Sequence, residues 1–493
     1  MSTPRPAETP ATATGLLQAG LDSPPFAVEL EGLDGGVSQL HCERVIRAVP
    51  GRRLVCRGEW GGEAVFAKLY LGNRKHWQSE LRGLDALQAA GIAAPRVVHA
   101  GSADHGAVHV IMLEPVPVAS TFEAAWKQAP DETSRRRLLE QAIRTIARHH
   151  GAGLEQQDIH LDNFLLSGER LYTIDGGGIR LSGGGELSVR RSLDNLALCL
   201  AQFYPHFDYL SVGALAAYSG ERHWAAGAVT AAQLQRRIDH FRRRRRRHFL
   251  GKVFRNCTAF ACDRNWHRFR VHDRAMASGK MLEFLADPDA SLRQPGPRYL
   301  KQGNTCTLWL ARVDDRWLVV KRYNIKGLAH RIQRAFRRTR AAVSWENAHR
   351  LGIYGISTAR PVALLEQRFG PLRGRAWYIS EYVEGEDVLQ LCTRPAPPAA
   401  AIEAAAQPVV DLLGQLARCR ISHGDMKGSN FIVADEGPVL IDLDAMQEHV
   451  CGWRYRRAQR RDMQRFMRNW DDCPEVAVVF KKLIRNRKQV SQS

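Results

Sequence analysis

The strongest constraint on this chain is a set of carboxylate and amide residues that recurs twice in the same order. The stretch Ile421–Met446 reads ISHGDMKGSNFIVADEGPVLIDLDAM and contains His423, Asp425, Asn430 and Asp442. Far upstream, EQQDIHLDNFLLSGERLYTIDGGG contains Asp158, Asn163 and Asp175. Asp158 precedes Asn163 by 5 positions (163 − 158) and Asp175 by 17 (175 − 158). Asp425 precedes Asn430 by 5 (430 − 425) and Asp442 by 17 (442 − 425). Glu80 precedes Pro95 by 15 (95 − 80), and Glu346 precedes Pro361 by 15 (361 − 346). Chance does not hold several intervals in one order, whereas a duplicated structural unit does.

H-x-D-x-x-x-x-N followed by a strand ending in Asp is the catalytic-loop and metal-binding pattern of the protein-kinase-like fold. Phosphoryl transfer needs a carboxylate near the attacking hydroxyl, and an amide plus a second carboxylate to hold Mg²⁺ on the nucleotide phosphates. In the second copy this assigns Asp425 as the base and Asn430 and Asp442 as the Mg²⁺ ligands. His423 orients or packs rather than carrying a proton. Phe431-Ile432-Val433 and Val439-Leu440-Ile441 are the strands expected to fix the loop. Lys321, in the apolar strand Trp317-Leu318-Val319-Val320-Lys321, is expected on the ATP phosphates, with Glu346 of the next helix pairing to it. The bland readings are a strand lysine with its head in solvent and a surface helix acid; the downstream loop favours the functional ones. Tyr299–Thr307 occupies the place of the phosphate-covering loop with a single glycine, Gly303, and Glu381 marks the hinge. Gly424 stands where many regulated protein kinases carry Arg, which points to constitutive activity.

The first copy offers Lys68 in Val65-Phe66-Ala67-Lys68-Leu69, Glu80 early in the helix Trp77–Ala90, and Glu114 at the hinge. Asp158 takes the place of the base, and Asn163 and Asp175 those of the metal ligands. Gln156 replaces the histidine, and Pro50-Gly51-Arg52-Arg53 is the sole candidate for a phosphate-covering turn. Two readings stay open: a nucleotide-binding unit, or a degenerate copy that stabilises or positions the second.

The expected architecture is α+β: two tandem protein-kinase-like units, each with a small β-rich N-lobe and a helical C-lobe. Residues 1–25, rich in Pro, Ala and Thr, are expected to be disordered. The first unit spans 26–292, with helices at Arg135–His150, Leu193–Phe203, Ala231–Phe249 and Met276–Leu285. A linker at 293–298 contains Pro295-Gly296-Pro297. The second unit, 299–493, has only 51 residues after Asp442 (493 − 442), so its lower lobe is expected to be short. No apolar run approaches the ~18–20 residues of a membrane span. The ten cysteines follow no zinc spacing and read as reduced thiols of a cytosolic protein.

The formal charge of +20 calls for a polyanionic neighbour: nucleic acid, an anionic membrane face or a phosphorylated glycolipid. No nucleic-acid module is recognisable. Arg242–Arg247, with Arg331, Arg334, Arg337, Arg338 and Arg340, is either a solvated basic surface or an attractor of phosphate-rich lipid heads.

The segments GRRLVCRGEWGGEAVFAKLY, QQDIHLDNFLL, LKQGNTCTLWLARV, VVKRYN, RRTRAAVSWENAHRL and HGDMKGSNF resemble the bacterial lipopolysaccharide core kinases, the heptose and Kdo kinases and their InaA-type relatives, over roughly residues 40–470. The resemblance implies ATP- and Mg²⁺-dependent phosphorylation of a heptose or Kdo hydroxyl of the inner core. It places the protein in the cytoplasm, peripheral to the inner membrane, with an anionic glycolipid as acceptor. The tandem arrangement and Gln156 depart from that family. Two rivals stand beside it: non-catalytic scaffolding of core assembly by one or both units, and a protein kinase, which the missing Arg and the short second lower lobe disfavour.

Overall fold

The structure is a computed structural model and describes residues 11–21, 23–31, 37–49, 51–72, 74–183, 185–293, 298–303, 305–324, 335–394 and 398–490. The chain is α+β and forms two compact units. Unit 1 comprises Met1–Phe203 and Phe207–Arg242; unit 2 comprises Tyr204–His206 and Arg243–Ser493.

Unit 1 opens with helix α1 (Ala13–Gln18), where a disordered lead was expected. Thr12 caps it by accepting from Gly15 N–H at 3.3 Å, and Leu16 is buried among Val28, Leu30 and Leu69. One apolar side chain seated in a core outweighs the disorder-prone composition of its neighbours. Strands β1 (Phe26–Glu31), β2 (Val37–Val49), β3 (Arg53–Trp60), β4 (Glu63–Leu71), β5 (Val97–Ala103) and β6 (Val108–Leu113) close into an antiparallel barrel in the order β1-β2-β3-β4-β6-β5. Helix α2 (Arg74–Ala89) lies between β4 and β5 in the chain and buries Glu80, Leu84 and Leu87.

The helical half contains α3 (Phe122–Gln128), α4 (Glu132–Gly151), α5 (Val189–Leu200), α6 (Ser211–Glu221) and the start of α7 (Ala231–Lys252), with the short strands β7 (Ser120–Thr121), β8 (Leu154–Gln156), β9 (Phe164–Ser167), β10 (Arg170–Thr173) and β11 (Ile179–Leu181). Thr121 and Asp131 cap α3 and α4 through Ala124 N–H (3.1 Å) and Ser134 N–H (2.7 Å). Phe122, Trp126 and Phe203 make its aromatic centre.

The division between units falls inside α7, not at 293–298. The reason is pairing: β12 (Phe260–Arg264) joins β13 (Arg268–Asp273), and β13 pairs with β17 (Pro361–Phe369) across His272–Ala363. Residues 260–273 are therefore the edge of the second sheet rather than an appendage of the first unit. The Pro295–Pro297 linker lies outside the described residues, as do Pro50, Asn304, Arg331 and Arg334. In the run read as either a solvated basic surface or an attractor of lipid heads, Arg242 and Arg246 are engaged within the protein: Arg242 is buried on Asp208, and Arg246 meets Glu448 and Tyr354.

Unit 2 continues with α8 (Gly279–Phe284), β14 (Arg298–Gln302), β15 (Cys306–Val313), β16 (Arg316–Tyr323), helix α9 (Arg340–Ile353) and β18 (Leu372–Glu381). Its antiparallel sheet runs β12-β13-β17-β18-β16-β15-β14. The helices that follow are α10 (Val388–Thr393), α11 (Ala399–Arg418), α12 (Gly452–Arg468) and α13 (Pro474–Val490). Short as this lower half is, it has a dense core: Phe431, Phe466, Trp470 and Phe480 are fully buried, and Trp470 stacks on Phe480 at 5.0 Å. Such a pair contributes about 0.5–1.5 kcal/mol beyond its area. No helix among the described residues is long and apolar enough to cross a membrane.

Candidate active site

The loop with the repeated carboxylates sits in unit 2 between short strands that fix both of its ends. After Ile421–Ser422, which pair with Gln447–Glu448, the chain runs through His423-Gly424-Asp425 to a 3₁₀ turn at Gly428–Asn430. It then enters a hairpin in which Phe431 faces Leu440. Ile441 N–H donates to the Asn430 carbonyl at 3.0 Å, so the end of the loop and the strand carrying Asp442 are one hydrogen-bonded piece. His423 is fully buried, with its Nε2 on the Ile441 carbonyl at 2.9 Å. It ties the two segments together and has no access to a substrate proton.

Asp462 of α12 holds the loop backbone. Its carboxylate accepts from His423 N–H (2.7 Å) and Gly424 N–H (3.0 Å). Burial pushes its pKa up, and those two N–H groups pull the other way. Gly424 has φ of +81°, and a Cβ there would meet the Ala445 carbonyl at 2.6 Å, so only glycine fits. Beyond this turn Asp425 is about one third exposed, with Lys427 on one oxygen (2.9 Å) and Arg465 on the other (3.2 Å). Asn430 donates its amide N–H to the Asp425 carbonyl at 2.8 Å, which leaves its amide oxygen as the group able to meet a cation. Asp442 is left-handed, with φ of +61°, a costly conformation for a residue bearing a Cβ.

Lys321 lies in β16 opposite Leu308 of β15 and Tyr378 of β18, and its head reaches Asp442 and Asp444. Burial pulls its pKa down, but Tyr323, Asp442 and Asp444 outweigh that and hold it above the ordinary lysine value. Glu346 departs from expectation. It pairs with Arg338 and Arg350 rather than with Lys321, and it lines a separate cavity of about 410 Å³ together with Arg264 and Arg368. The carboxylate that meets Lys321 in its stead is Asp444.

A cavity of about 390 Å³ joins these residues. It is lined by the apolar Leu308, Val319, Ile432 and Ile441, by Lys321, Asn430 and Asp442, and by Glu381, Tyr382 and Val383. Apolar walls with a few convergent polar groups suit a planar base with a charged tail. Carboxylate and amide oxygens suit a hard divalent cation such as Mg²⁺. Gly303 ends β14 with its N–H on the Cys306 carbonyl (3.1 Å), in the hairpin whose Lys301 also lines the cavity. Glu381 pairs with Arg316 at 2.8 Å.

In unit 1 some expected partners meet. Lys68, in β4, donates to Glu80 and to the Ile174 carbonyl (2.8 Å), and Glu80 accepts from Gly176 N–H (3.1 Å) and Gly177 N–H (2.9 Å). Burial works against the Glu80 charge, but Lys68, Asp175 and the Gly176 N–H prevail and lower its pKa. Burial and the Glu80 charge raise that of Asp175. Asn163 donates to the Asp158 carbonyl at 3.0 Å, and Ile174 N–H to the Asn163 carbonyl at 3.0 Å, as in unit 2. Glu114 is exposed and pairs with Arg96 at 2.9 Å.

Asp444, Asp462, Lys427 and Arg465 were not picked out from sequence. For Asp462 a signal was there: it follows Asp425 by 37 positions (462 − 425), and Asn195 follows Asp158 by 37 (195 − 158). Asn195 donates to the Gln156 carbonyl at 2.8 Å and has His150 on its oxygen at 2.9 Å.

Comparison with known proteins adds three findings. A family model described as the lipopolysaccharide kinase (Kdo/WaaP) family matches residues 65–176 and 300–484. No curated protein matches the chain. A solved structure titled "WaaP in complex with acyl carrier protein" is 20% identical, with a TM-score of 0.31 over 40% of this chain and 88% of that one.

Proposed function

This chain belongs to the lipopolysaccharide kinase (Kdo/WaaP) family, and on that premise we propose that unit 2 is an ATP- and Mg²⁺-dependent phosphotransferase acting on a heptose or Kdo hydroxyl of the lipopolysaccharide inner core. The observation that carries the proposal is one constellation. Lys321, Asn430 and Asp442 line one largely apolar cavity, and Asp425 lies on the same buttressed loop as Asn430. The whole chain is then two kinase-like units in tandem, with the chemistry in the second.

In this reading the acceptor hydroxyl hydrogen-bonds to the Asp425 carboxylate, which takes its proton as the new oxygen–phosphorus bond forms and the bond to the leaving diphosphate oxygen breaks. Lys427 and Arg465 keep Asp425 oriented. Lys321 would bind the nucleotide phosphates, and Asn430 and Asp442 would hold Mg²⁺, whose charge would offset that of the phosphates. The apolar walls take the base and exclude water.

Helix α12 supports a polyanionic acceptor. It begins with exposed Trp453 and carries exposed Arg454, Arg456, Arg457, Arg460 and Arg461, while its one carboxylate, Asp462, is turned inward to the loop. Exposed guanidinium groups on the helix whose Arg465 reaches Asp425 match phosphates and Kdo carboxylates. Contact with the cytoplasmic face of the inner membrane belongs to the same proposal, because the glycolipid is anchored there.

A second reading concerns unit 1 alone: it has become a non-catalytic partner. Gln156, Gln157, His160 and Asn195 occupy the places of His423, Gly424, Lys427 and Asp462 (each 267 positions earlier, as 425 − 158). The test of the main proposal is transfer of label from ATP to dephosphorylated inner-core glycolipid. Mg²⁺-dependent incorporation into the glycolipid is expected; incorporation into a protein acceptor instead would remove the sugar assignment.

A further inference from the structure

The family's shared chemistry leaves open what holds the phosphate-binding lysine of unit 2, since the helix glutamate expected to do so is engaged elsewhere. We propose that Asp444 is the positioning residue for Lys321, the anchoring carboxylate having moved in this unit from the helix to the loop two residues beyond the metal-binding aspartate. The inference rests on the reading of unit 2 as the nucleotide site.

Three observations carry it. First, the Asp444 side chain is almost wholly buried, 4% exposed, yet it collects three donors: Lys321 Nζ at 2.8 Å, Tyr323 Oη at 2.9 Å and Arg340 Nη2 at 2.9 Å. A buried carboxylate persists only when it is so satisfied. Second, Glu346 is not idle: Arg338 and Arg350 hold it away from Lys321. Helix α9 is instead joined to the loop through Asn347, whose amide donates to the Leu443 and Met446 carbonyls, each at 2.9 Å, on either side of Asp444. Ser344 of the same helix meets Tyr323 Oη at 3.1 Å. The helix therefore supports the lysine's anchor without supplying it.

The third observation is the converse in unit 1. The residue matching Asp444 is Gly177 (444 − 267), and there the helix acid does reach the lysine. A Cβ built on Gly177 would meet Glu80 Oε2 at 2.9 Å. The space an aspartate side chain would enter is thus already filled by the helix carboxylate. The anchoring carboxylate comes from α2 in unit 1 and from the loop in unit 2, where Asp444 acts beside Asp442. A spacing search keyed to Glu80 and Glu346 sees the same acid in both and misses the exchange.

The consequence is mechanistic. Where a helix glutamate holds the lysine, movement of that helix switches the site on and off. With both Asp442 and Asp444 on one short loop, the anchor and the metal-binding aspartate share one segment, and α9 acts on the lysine through Arg340 and Asn347 rather than through a glutamate of its own.

The experiment uses the full-length protein with Mg·ATP and the glycolipid acceptor. Asp444→Asn is expected to lower kcat/KM for ATP about 100-fold or more, through both KM for ATP and kcat, with KM for the acceptor unmoved. Glu346→Gln is expected to stay within about threefold of wild type, far from the loss that follows when a helix glutamate anchors the lysine. Because Asp444 is buried, melting temperatures are measured alongside, and the Glu346 variant decides the matter if Asp444→Asn fails to fold. A loss near 100-fold with Glu346→Gln, or wild-type ATP kinetics with Asp444→Asn, overturns the proposal. Failure of the wild-type protein to bind Mg·ATP at all would instead sink the kinase reading beneath it.

Discussion

Units 1 and 2 carry the same carboxylate and amide residues at the same intervals, yet differ at the positions that set the backbone around them. In unit 2 Gly424 and Asp442 are left-handed, His423 bridges loop and strand, and Asp462 accepts two loop N–H groups. In unit 1 neither Gln157 nor Asp175 has a positive φ, Gln156 leaves its side-chain amide without a partner among the described residues, and Asn195 donates where Asp462 accepts. The shared carboxylates and amides mark the two units as versions of one sequence pattern. Strained backbone persists only where surrounding structure over-determines it, and at these positions it is found in unit 2.

The contrast breaks most sharply at the metal ligands. Asp442→Asn is expected to reduce labelled-phosphate transfer by about 10³-fold or more, and Asp175→Asn by no more than about twofold. Comparable losses from both would mean two working sites. A milder probe makes unit 2 resemble unit 1: Asp462→Asn removes the charge from two hydrogen bonds to the loop, each worth about 1.5–3 kcal/mol. Its kcat should fall roughly 10–100-fold with ATP affinity nearly unchanged. If kcat is unaffected, Asp462 does not set the loop. Smaller again is the acceptor surface. Arg460→Ala with Arg461→Ala should raise KM for the glycolipid about three- to tenfold at low salt, and the difference should shrink as ionic strength rises. A salt-independent change would point to packing instead.

Acid should separate the units by stability rather than rate. Burial pushes His149 down to about 3 and His150 down to about 4 in unit 1, and His349 down to about 4 in unit 2. A histidine held neutral in the fold stabilises it above the unfolded value of about 6.5, and that contribution is lost as pH falls toward the folded value. Two such groups in α4 against one in α9 predict that unit 1 loses hydrogen-exchange protection first between about pH 6.5 and 4. Earlier loss in α9 would show that other titrations dominate.

Much of this was legible in the sequence because the chemistry depends on spacing. Asn430, Asp442 and Lys321 line one cavity, Asp425 lies on the loop that carries Asn430, and Lys68 meets Glu80. The rest was hidden because it depends on which of two equivalent partners a side chain takes. Nothing in the spacing of Glu346 reveals that Arg338 and Arg350 engage it, and the second acid of Asp442-Leu443-Asp444 reads as ordinary until its depth is known. The domain boundary was missed for a similar reason: strand pairing of Arg268–Asp273 with Pro361–Phe369 spans some ninety residues and leaves no local mark. Leu16 shows the opposite limit, one buried side chain ordering a stretch whose composition argued for disorder.

The most direct measurement is acceptor-dependent transfer from labelled ATP to dephosphorylated inner-core glycolipid, comparing wild type with Asp425→Asn and Asp158→Asn. Chemistry confined to unit 2 predicts a fall of about 10³-fold or more with the first variant and a rate within about twofold of wild type with the second. Near-normal transfer by Asp425→Asn, or an equal fall with Asp158→Asn, would contradict it.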